Sequence, residues 1–249
     1  MTPAAAFDAI ADRYDELWTE TPTGRAQREL VWSHVDPLFR EGDAVIDIGC
    51  GTGADAKHLA QRGVRIHAID PSPLMIGRVA AGVWPANHTI TAAIALAEDV
   101  EGRYDGVLSN FGALNCVDDL PAVAARLGAA VQPGGHVAIC VIGRFCLWET
   151  LFYLARFNLT KAIRRFRHRA VTASIGVRVY YRSVQELRDA FSAAFECQRW
   201  TGVGLLVPPS YVKLPGPLVR ALALFDRLLA HLPILRGMAD HRLLILRRR

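Results

Sequence analysis

Chemistry-capable residues concentrate in one stretch. Residues 45–53 read VIDIGCGTG, with Gly49, Gly51 and Gly53 alternating and Asp47 two positions before the first of them. Glycine has no Cβ, so backbone built this way can approach a ligand closely. Asp70 closes the next apolar run, and a carboxylate roughly 20 residues beyond such a loop is placed to accept from both hydroxyls of a ribose. Together with Ala54 the glycines also satisfy the G-x-G-x-x-A pattern of dinucleotide sites, and a tight turn with no ligand is the plainest alternative. Asp47 discriminates between these readings. A carboxylate is repelled by a pyrophosphate and attracted by an ammonium or a sulfonium. The loop therefore points to a cationic cofactor that carries a ribose.

Groups able to move a proton are fewer. Glu149, His168, Tyr180 and Tyr181 are the candidate general bases. Glu149 reads as a solvated helix residue, because isolated charges are mostly exposed. His168 sits in the basic run 164–169 and reads as exposed. Tyr180 and Tyr181 end a strand-like VRVYY segment, where one faces the core and the other a pocket or solvent. His58 and His136 read as structural. The five cysteines are scattered, with no C-x-x-C pair, so neither a zinc site nor a disulfide framework is expected and the thiols read as buried in a reducing compartment.

The elements that must position these groups alternate. A helix is expected over 7–39, with Phe7, Ile10, Ala11 and Tyr14 at helical spacing. Residues 44–48 suit a buried parallel strand, and 54–62 a helix closed by Gly63. A second strand spans 64–69, and Ser72-Pro73 caps and opens the next helix. Further strands are expected at 89–96, 104–109 and 136–142, with a helix over 118–131 ended by the Pro133-Gly134-Gly135 turn. This rhythm implies a doubly wound α/β sheet with its ligand along the strand C-termini.

In order, VIDIGCGTG, IHAIDPSPLMI, YDGVLSNFGALNCVDD and LGAAVQPGGHVAI resemble the successive motifs of the class I S-adenosylmethionine (SAM) dependent methyltransferases. The leading FDAIADRYDELW is similar to the first helix of their small-molecule and quinone branch. The resemblance covers about 7–143 and implies a seven-stranded, mostly parallel sheet with one reversed strand near the C-terminus. It implies SAM as the cofactor. Gly49, Gly51 and Gly53, with Cys50, would pass its methionine part, and Asp47 would help hold the ammonium. Asp70 and Pro71 would sit at the ribose. Ser109, Asn110 and Phe111 would flank the sulfonium and the acceptor, and Tyr14 would close over the cofactor. Leu96 stands where many members carry an acid for adenine. Either Glu98 or Asp99 substitutes beside Ala97, or packing and backbone hold the ring.

The remainder divides into a cap at 144–182 and a C-terminal part at 183–249 with an insertion at about 207–239. Residues 145–169 form an amphipathic segment whose stripe includes Trp148, Phe152 and Phe166. With Tyr181 these are expected to line a pocket for a small hydrophobic acceptor: an aromatic, polyketide-like, quinone or lipid molecule, with O-methylation favoured over N- or C-methylation. Ser183 and Glu186 form a capping box, and the last strands are expected at 197–207 and 242–246. A non-catalytic SAM-binding partner or sensor is the rival reading.

Net charge is +5, and no nucleic-acid-binding motif is present, so nucleic acid is not an expected partner. The opening residues include Asp8, Asp12 and Arg13 and do not read as a secretory leader. No uncharged apolar run is long enough to span a bilayer. A cytoplasmic protein is expected. Its basic segments suit peripheral contact with an anionic membrane, and a homodimer is compatible with the sequence.

Overall fold

The computed structural model describes residues 2–84, 89–166, 171–172 and 175–249. The chain opens with α1 (Pro3–Asp8) and α2 (Pro22–Val35), then alternates through β1 (Ala44–Ile48), α3 (Ala54–Ala60), β2 (Arg65–Asp70), α4 (Pro73–Ala81), β3 (Ile90–Ile94), β4 (Tyr104–Ser109), α5 (Leu120–Ala130) and β5 (Val131–Ile142). The cap holds α6 (Leu147–Leu154), α7 (Leu159–Ala162) and a two-stranded ribbon of β6 (Val171–Thr172) and β7 (Arg178–Val179). Then follow α8 (Val184–Phe191), β8 (Phe195–Val203), α9 (Gly216–Leu229) and β9 (His241–Arg248).

Seven strands form one sheet in the order β3-β2-β1-β4-β5-β9-β8. β1 pairs in parallel with both β2 and β4, while β9 runs antiparallel to β5 and β8. The expected mostly parallel sheet with one reversed strand is what forms. The chain leaves β1 in one direction and returns to its other side at β4, so a crevice opens at the C-terminal ends of these two strands. Successive strand residues serve opposite faces. Ile46, Val107, Ile139 and Leu244 pack into one core, under α5 and α8. Val45, Leu108, Ala138 and Ile245 pack into the other, under α2 and α3.

Two expected helices are broken. In place of one helix over 7–39, α1 is followed by a 3₁₀ turn at Ala11–Arg13, a π turn at Asp15–Thr19, and then α2. Pro22 disfavours helical geometry at Thr21, which instead caps α2 by accepting the Gly24 N–H at 2.9 Å. The amphipathic segment 145–169 is likewise no single helix. Phe157 adopts φ 55°, and Asn158 restarts the chain by capping α7 at Lys161 N–H, 3.0 Å away. A 3₁₀ turn at Arg164–Phe166 follows. β5 starts earlier than the Pro-Gly-Gly turn suggested, at Val131, across an irregularity opposite Tyr104 and Gly106. The capping box of α8 forms as expected.

Candidate functional site

The glycine loop is built for close approach. Gly49 has φ 69°, and a Cβ there would lie 2.2 Å from the Ala113 Cβ. Gly51 has φ 55° and faces the Tyr14 ring, 3.7 Å from where its Cβ would be. Both values favour glycine. The Gly49 and Cys50 N–H groups donate to Ile69 O at 2.8 and 3.0 Å, which ties the loop to the end of β2. There Asp70 receives the Gly51 N–H on one oxygen (3.0 Å) and the Ser72 N–H on the other (2.9 Å). Burial pushes its carboxyl upward, against those two hydrogen bonds. An ionised carboxylate offers about four acceptor positions, so each oxygen keeps capacity for a hydroxyl donor.

Asp47 is fully buried at the centre of the sheet, and its Oδ2 has no hydrogen-bond partner among the described residues. Burial holds its carboxyl well above the usual range, neighbouring Asp55 adds to this, and Arg28 opposes it. The Ala56 N–H bonds the carboxyl, so Oδ2 alone is left without a partner among the described residues, and a cation beside it would be favoured. Arg28 itself is spoken for. It pairs with Asp55, which also accepts Trp32 Nε1 at 2.7 Å and Asn110 Nδ2 at 3.1 Å. The Arg28 guanidinium lies 4.8 Å from the Phe111 ring centroid. Sequence reasoning missed Arg28 and Asp55, since an acid in a helix's first turn and an arginine in an earlier helix look like ordinary surface charge.

The broken N-terminal segment folds over this loop. Asp15 accepts from Thr52 Oγ1 at 2.7 Å, and Asp8 accepts from Ser72 Oγ and from Leu74 N–H. Tyr14 is carried onto the glycine loop between Phe7 and Trp18. Burial pushes its hydroxyl to about 12, so it stays protonated at neutral pH.

A cavity of about 380 Å³ runs from the loop to the cap. Of the residues singled out in the sequence, Tyr14, Gly49, Gly51, Asp70, Pro71, Asn110, Phe111 and Tyr181 line it. Asp47, Cys50, Gly53, Ser109, Ala97 and Glu98 stand behind or away from the wall. Ser109 Oγ donates to Ile48 O at 3.1 Å, and a Cβ on Gly53 would meet Trp84.

The expected acceptor stripe does not line the cavity. Trp148 Nε1 donates to Leu206 O at 3.0 Å, so the indole staples α6 to the β8 end. Phe152 is covered by the Arg156 guanidinium, 3.6 Å from its centroid. Phe166 leans on Phe145 at 5.8 Å and is half exposed. The break at Phe157 separates Phe166 from the α6 face that carries Trp148 and Phe152. The apolar wall comes instead from Ile175, Val177, Val179 and Tyr181 around β7, and from Tyr211.

The candidate bases also sort themselves. Glu149 is buried, not solvated, because Arg164 holds both its oxygens at 2.8 Å and Arg165 adds a bond at 2.7 Å. Despite burial, these cations hold its carboxyl below the ordinary value, which makes it a poor base, and it is off the cavity wall. Tyr180 is also off the wall, with its hydroxyl on Asp118 and its ring under Arg182. His168 lies outside the described residues. His241, which sequence reasoning passed over, does line the cavity. Among the described residues no group of three or more His, Cys, Asp and Glu is placed to hold a metal.

The switch in strand order at β1, the glycine loop and the buried acid at the end of β2 form a crevice of the kind that takes a nucleoside-bearing cofactor. A family model for the methyltransferase domain matches residues 6–194, and the chain belongs to that family. It is 35% identical over 144 residues to the demethylmenaquinone methyltransferase of Thermobifida fusca, covering 55% of this chain and 59% of that protein. Identity to the demethylmenaquinone methyltransferase of Symbiobacterium thermophilum is 29% over 67% of this chain and 73% of the other. The ubiquinone biosynthesis O-methyltransferase of Pseudomonas aeruginosa is 35% identical over 56% of this chain and 62% of its own length. The chain thus spans roughly three fifths to three quarters of these relatives. Among solved structures, a mycolic acid cyclopropane synthase complexed with SAH and CTAB superposes with a TM-score of 0.69 at 16% identity, covering 100% of this chain and 99% of that one. An S-adenosylmethionine dependent methyltransferase from Mesorhizobium loti gives 0.58 at 18% identity, over 88% and 98%. The expected class I fold is thereby borne out.

Proposed function

We propose that this protein transfers a methyl group from SAM to a small hydrophobic acceptor of the quinone type. One observation carries the reading. A single cavity joins Asp70 and Gly51 to an apolar wall of Ile175, Val177, Val179 and Tyr211. The relatives named for demethylmenaquinone and ubiquinone biosynthesis support an apolar, ring-bearing acceptor. Bound SAM supplies an electrophilic methyl on a good leaving group.

The chain's own residues then bind and orient. Asp70 accepts from the ribose hydroxyls. Asp47, with its orphaned oxygen, favours the ammonium end through the loop. Tyr14 covers the loop and excludes water with a neutral hydroxyl. Aligning two bound reactants in this way supplies about 7–11 kcal/mol toward the barrier.

The test joins binding to turnover. SAM at about 100 times its Kd adds roughly 2.7 kcal/mol of stability. For a chain of this size that raises Tm by about 5–10 °C. Tritiated methyl should then pass to a short-chain demethylmenaquinol or catechol. No thermal shift with SAM would overturn the reading, and a shift with no transfer to any acceptor in a cell extract would leave a non-catalytic SAM-binding protein.

Peripheral membrane contact is part of this proposal. No helix among the described residues is long and apolar enough to cross a bilayer. However, Leu151, Leu154, Phe157, Leu159 and Ile163 are exposed around α6 and α7, Phe157 to 95%, beside Arg156 and Lys161. An apolar ridge with basic flanks suits an anionic interface from which an apolar acceptor is drawn. Flotation with phosphatidylglycerol vesicles but not phosphatidylcholine vesicles is the expected result, lost in Phe157→Glu. Equal behaviour of the two proteins would remove this part.

A further inference from the structure

The cavity holds a histidine for which the roles assigned so far have no use. His241 opens β9, between Ile142 of β5 and Val203 of β8. Its ring stands edge-on to Phe111, with centroids 5.2 Å apart. Its Nδ1 is buried with no hydrogen-bond partner among the described residues, yet lies 3.5 Å from Asp240 Oδ2. Nε2 is therefore the ring nitrogen left to the cavity.

Asp240 is clamped in turn. Arg165 Nη2 reaches Asp240 Oδ1 at 2.8 Å and Glu149 Oε2 at 2.7 Å, while Nη1 bonds the carbonyls of Gly143 and Asp240 at 3.3 and 3.2 Å. The series Glu149, Arg165, Asp240, His241 is buried throughout, at 1%, 7%, 6% and 9% exposure. Taking this many charges out of water is expensive, and a purely apolar filling would often serve stability as well. Packing alone gives no reason for it to end on an imidazole at a cavity wall.

We propose that His241 is the general base that takes the hydroxyl proton of the acceptor, and that Asp240 is the positioning residue that fixes its tautomer. This rests on reading the cavity as the site of methyl transfer, and it names the acceptor as a hydroxyl-bearing aromatic. Asp240 Oδ2, 3.5 Å from Nδ1 though not hydrogen-bonded to it, attracts the ring's hydrogen to that nitrogen and leaves the Nε2 lone pair free. Burial lowers the imidazole's pKa, Asp240 raises it, and Arg165 and Arg242 lower it. Arg164, Tyr181 and Tyr211 share the cavity wall, and Arg28 lies over the Phe111 ring. The result is a ring that is neutral at pH 7 and able to accept.

The step balances. The acceptor's O–H proton passes to Nε2. The oxygen lone pair forms the bond to the methyl carbon as the carbon–sulfur bond breaks, its pair staying on sulfur. One positive charge is lost at sulfur and one appears on the imidazolium, where Asp240 faces it. The proton then leaves to solvent.

The test has two arms. NMR of the protein labelled with ¹⁵N-histidine should show His241 neutral at pH 7 with its hydrogen on Nδ1, and Asp240→Asn should abolish that preference. An imidazolium at pH 7, or hydrogen on Nε2, would overturn the proposal without any substrate. In the second arm, methyl transfer from SAM to 4-tert-butylcatechol should fall about 10²–10⁴-fold in His241→Gln. SAM affinity should stay within about twofold, with an unchanged Tm and loss of the acidic limb of kcat/KM. A rate within threefold of wild type would defeat the base while leaving the methyltransferase reading intact. Failure of wild type to bind SAM would defeat that reading itself. If wild type binds SAM but ignores this catechol, the NMR arm decides.

Discussion

At the scale of single residues, two carboxylates with opposite environments divide the work. Asp70 is desolvated and held only by backbone N–H groups, so it gains from a ligand's hydroxyls. Replacing it with alanine removes charge-assisted hydrogen bonds of roughly 1.5–3 kcal/mol, and SAM affinity by calorimetry should drop at least tenfold. Unchanged affinity would contradict the ribose assignment. Glu149 is the reverse case, neutralised by two arginines. Its folded pKa is depressed, so its stabilising effect is complete above the unfolded value of about 4.3 and fades as pH falls through the lower folded value. Glu149→Ala leaves buried Arg165 short of a partner and should cost about 3–5 kcal/mol. It should also flatten the acid side of the stability profile measured by urea titration. Asp70 was legible in the sequence because its distance from the glycines has a reason. Glu149 was misread as solvated because its arginine partners lie 15 and 16 residues on, past the break in the helix, and His241 was passed over because a histidine opening a strand carries no spacing signal. Spacing carries no trace of a contact between Glu149 and Arg165 that only a bent cap creates.

At the scale of elements, the glycine loop and the cap differ in how firmly sequence dictates them. In the loop, chirality and sterics leave little choice. Gly49→Ala would force a Cβ to 2.2 Å from Ala113 in a left-handed conformation, and it should destabilise the fold by more than 1 kcal/mol. Gly51→Ala meets only Tyr14 at ordinary contact distance and carries the left-handed strain alone, about 1–2 kcal/mol, so it should lose less stability than Gly49→Ala while losing cofactor affinity. Melting temperature and SAM titration of the two variants separate these outcomes. Strand limits along the first half were readable for the same reason, since buried parallel strands are short apolar runs bounded by turns. The cap was not. Its apolar periodicity continues past Phe157, but the residue at positive φ just beyond α6 breaks the expected stripe into separate pieces. The wall is made instead around β7, a two-residue strand too short to show alternation, and by Tyr211.

For the molecule as a whole, the order of strands sets where ligands meet. The reversal at β1 and β4 opens the crevice, and the late antiparallel strand β9 delivers His241 to it from the far end of the chain. The hydrogen bonds of Asp8 and Asp15 to Ser72, Leu74 and Thr52 have a consequence for traffic. They tie α1 and the turns after it to the glycine loop and to the start of α4. Arg164 and Tyr211 belong to the same cavity wall. Exchange of spent cofactor would then wait on unlatching these ties. Asp8→Ala cuts two of the ties without touching the cavity wall. In stopped-flow displacement the dissociation rate of S-adenosylhomocysteine should rise several-fold, with little change in acceptor KM. An unaltered dissociation rate would mean that the latch is ornamental and that release is governed inside the cavity.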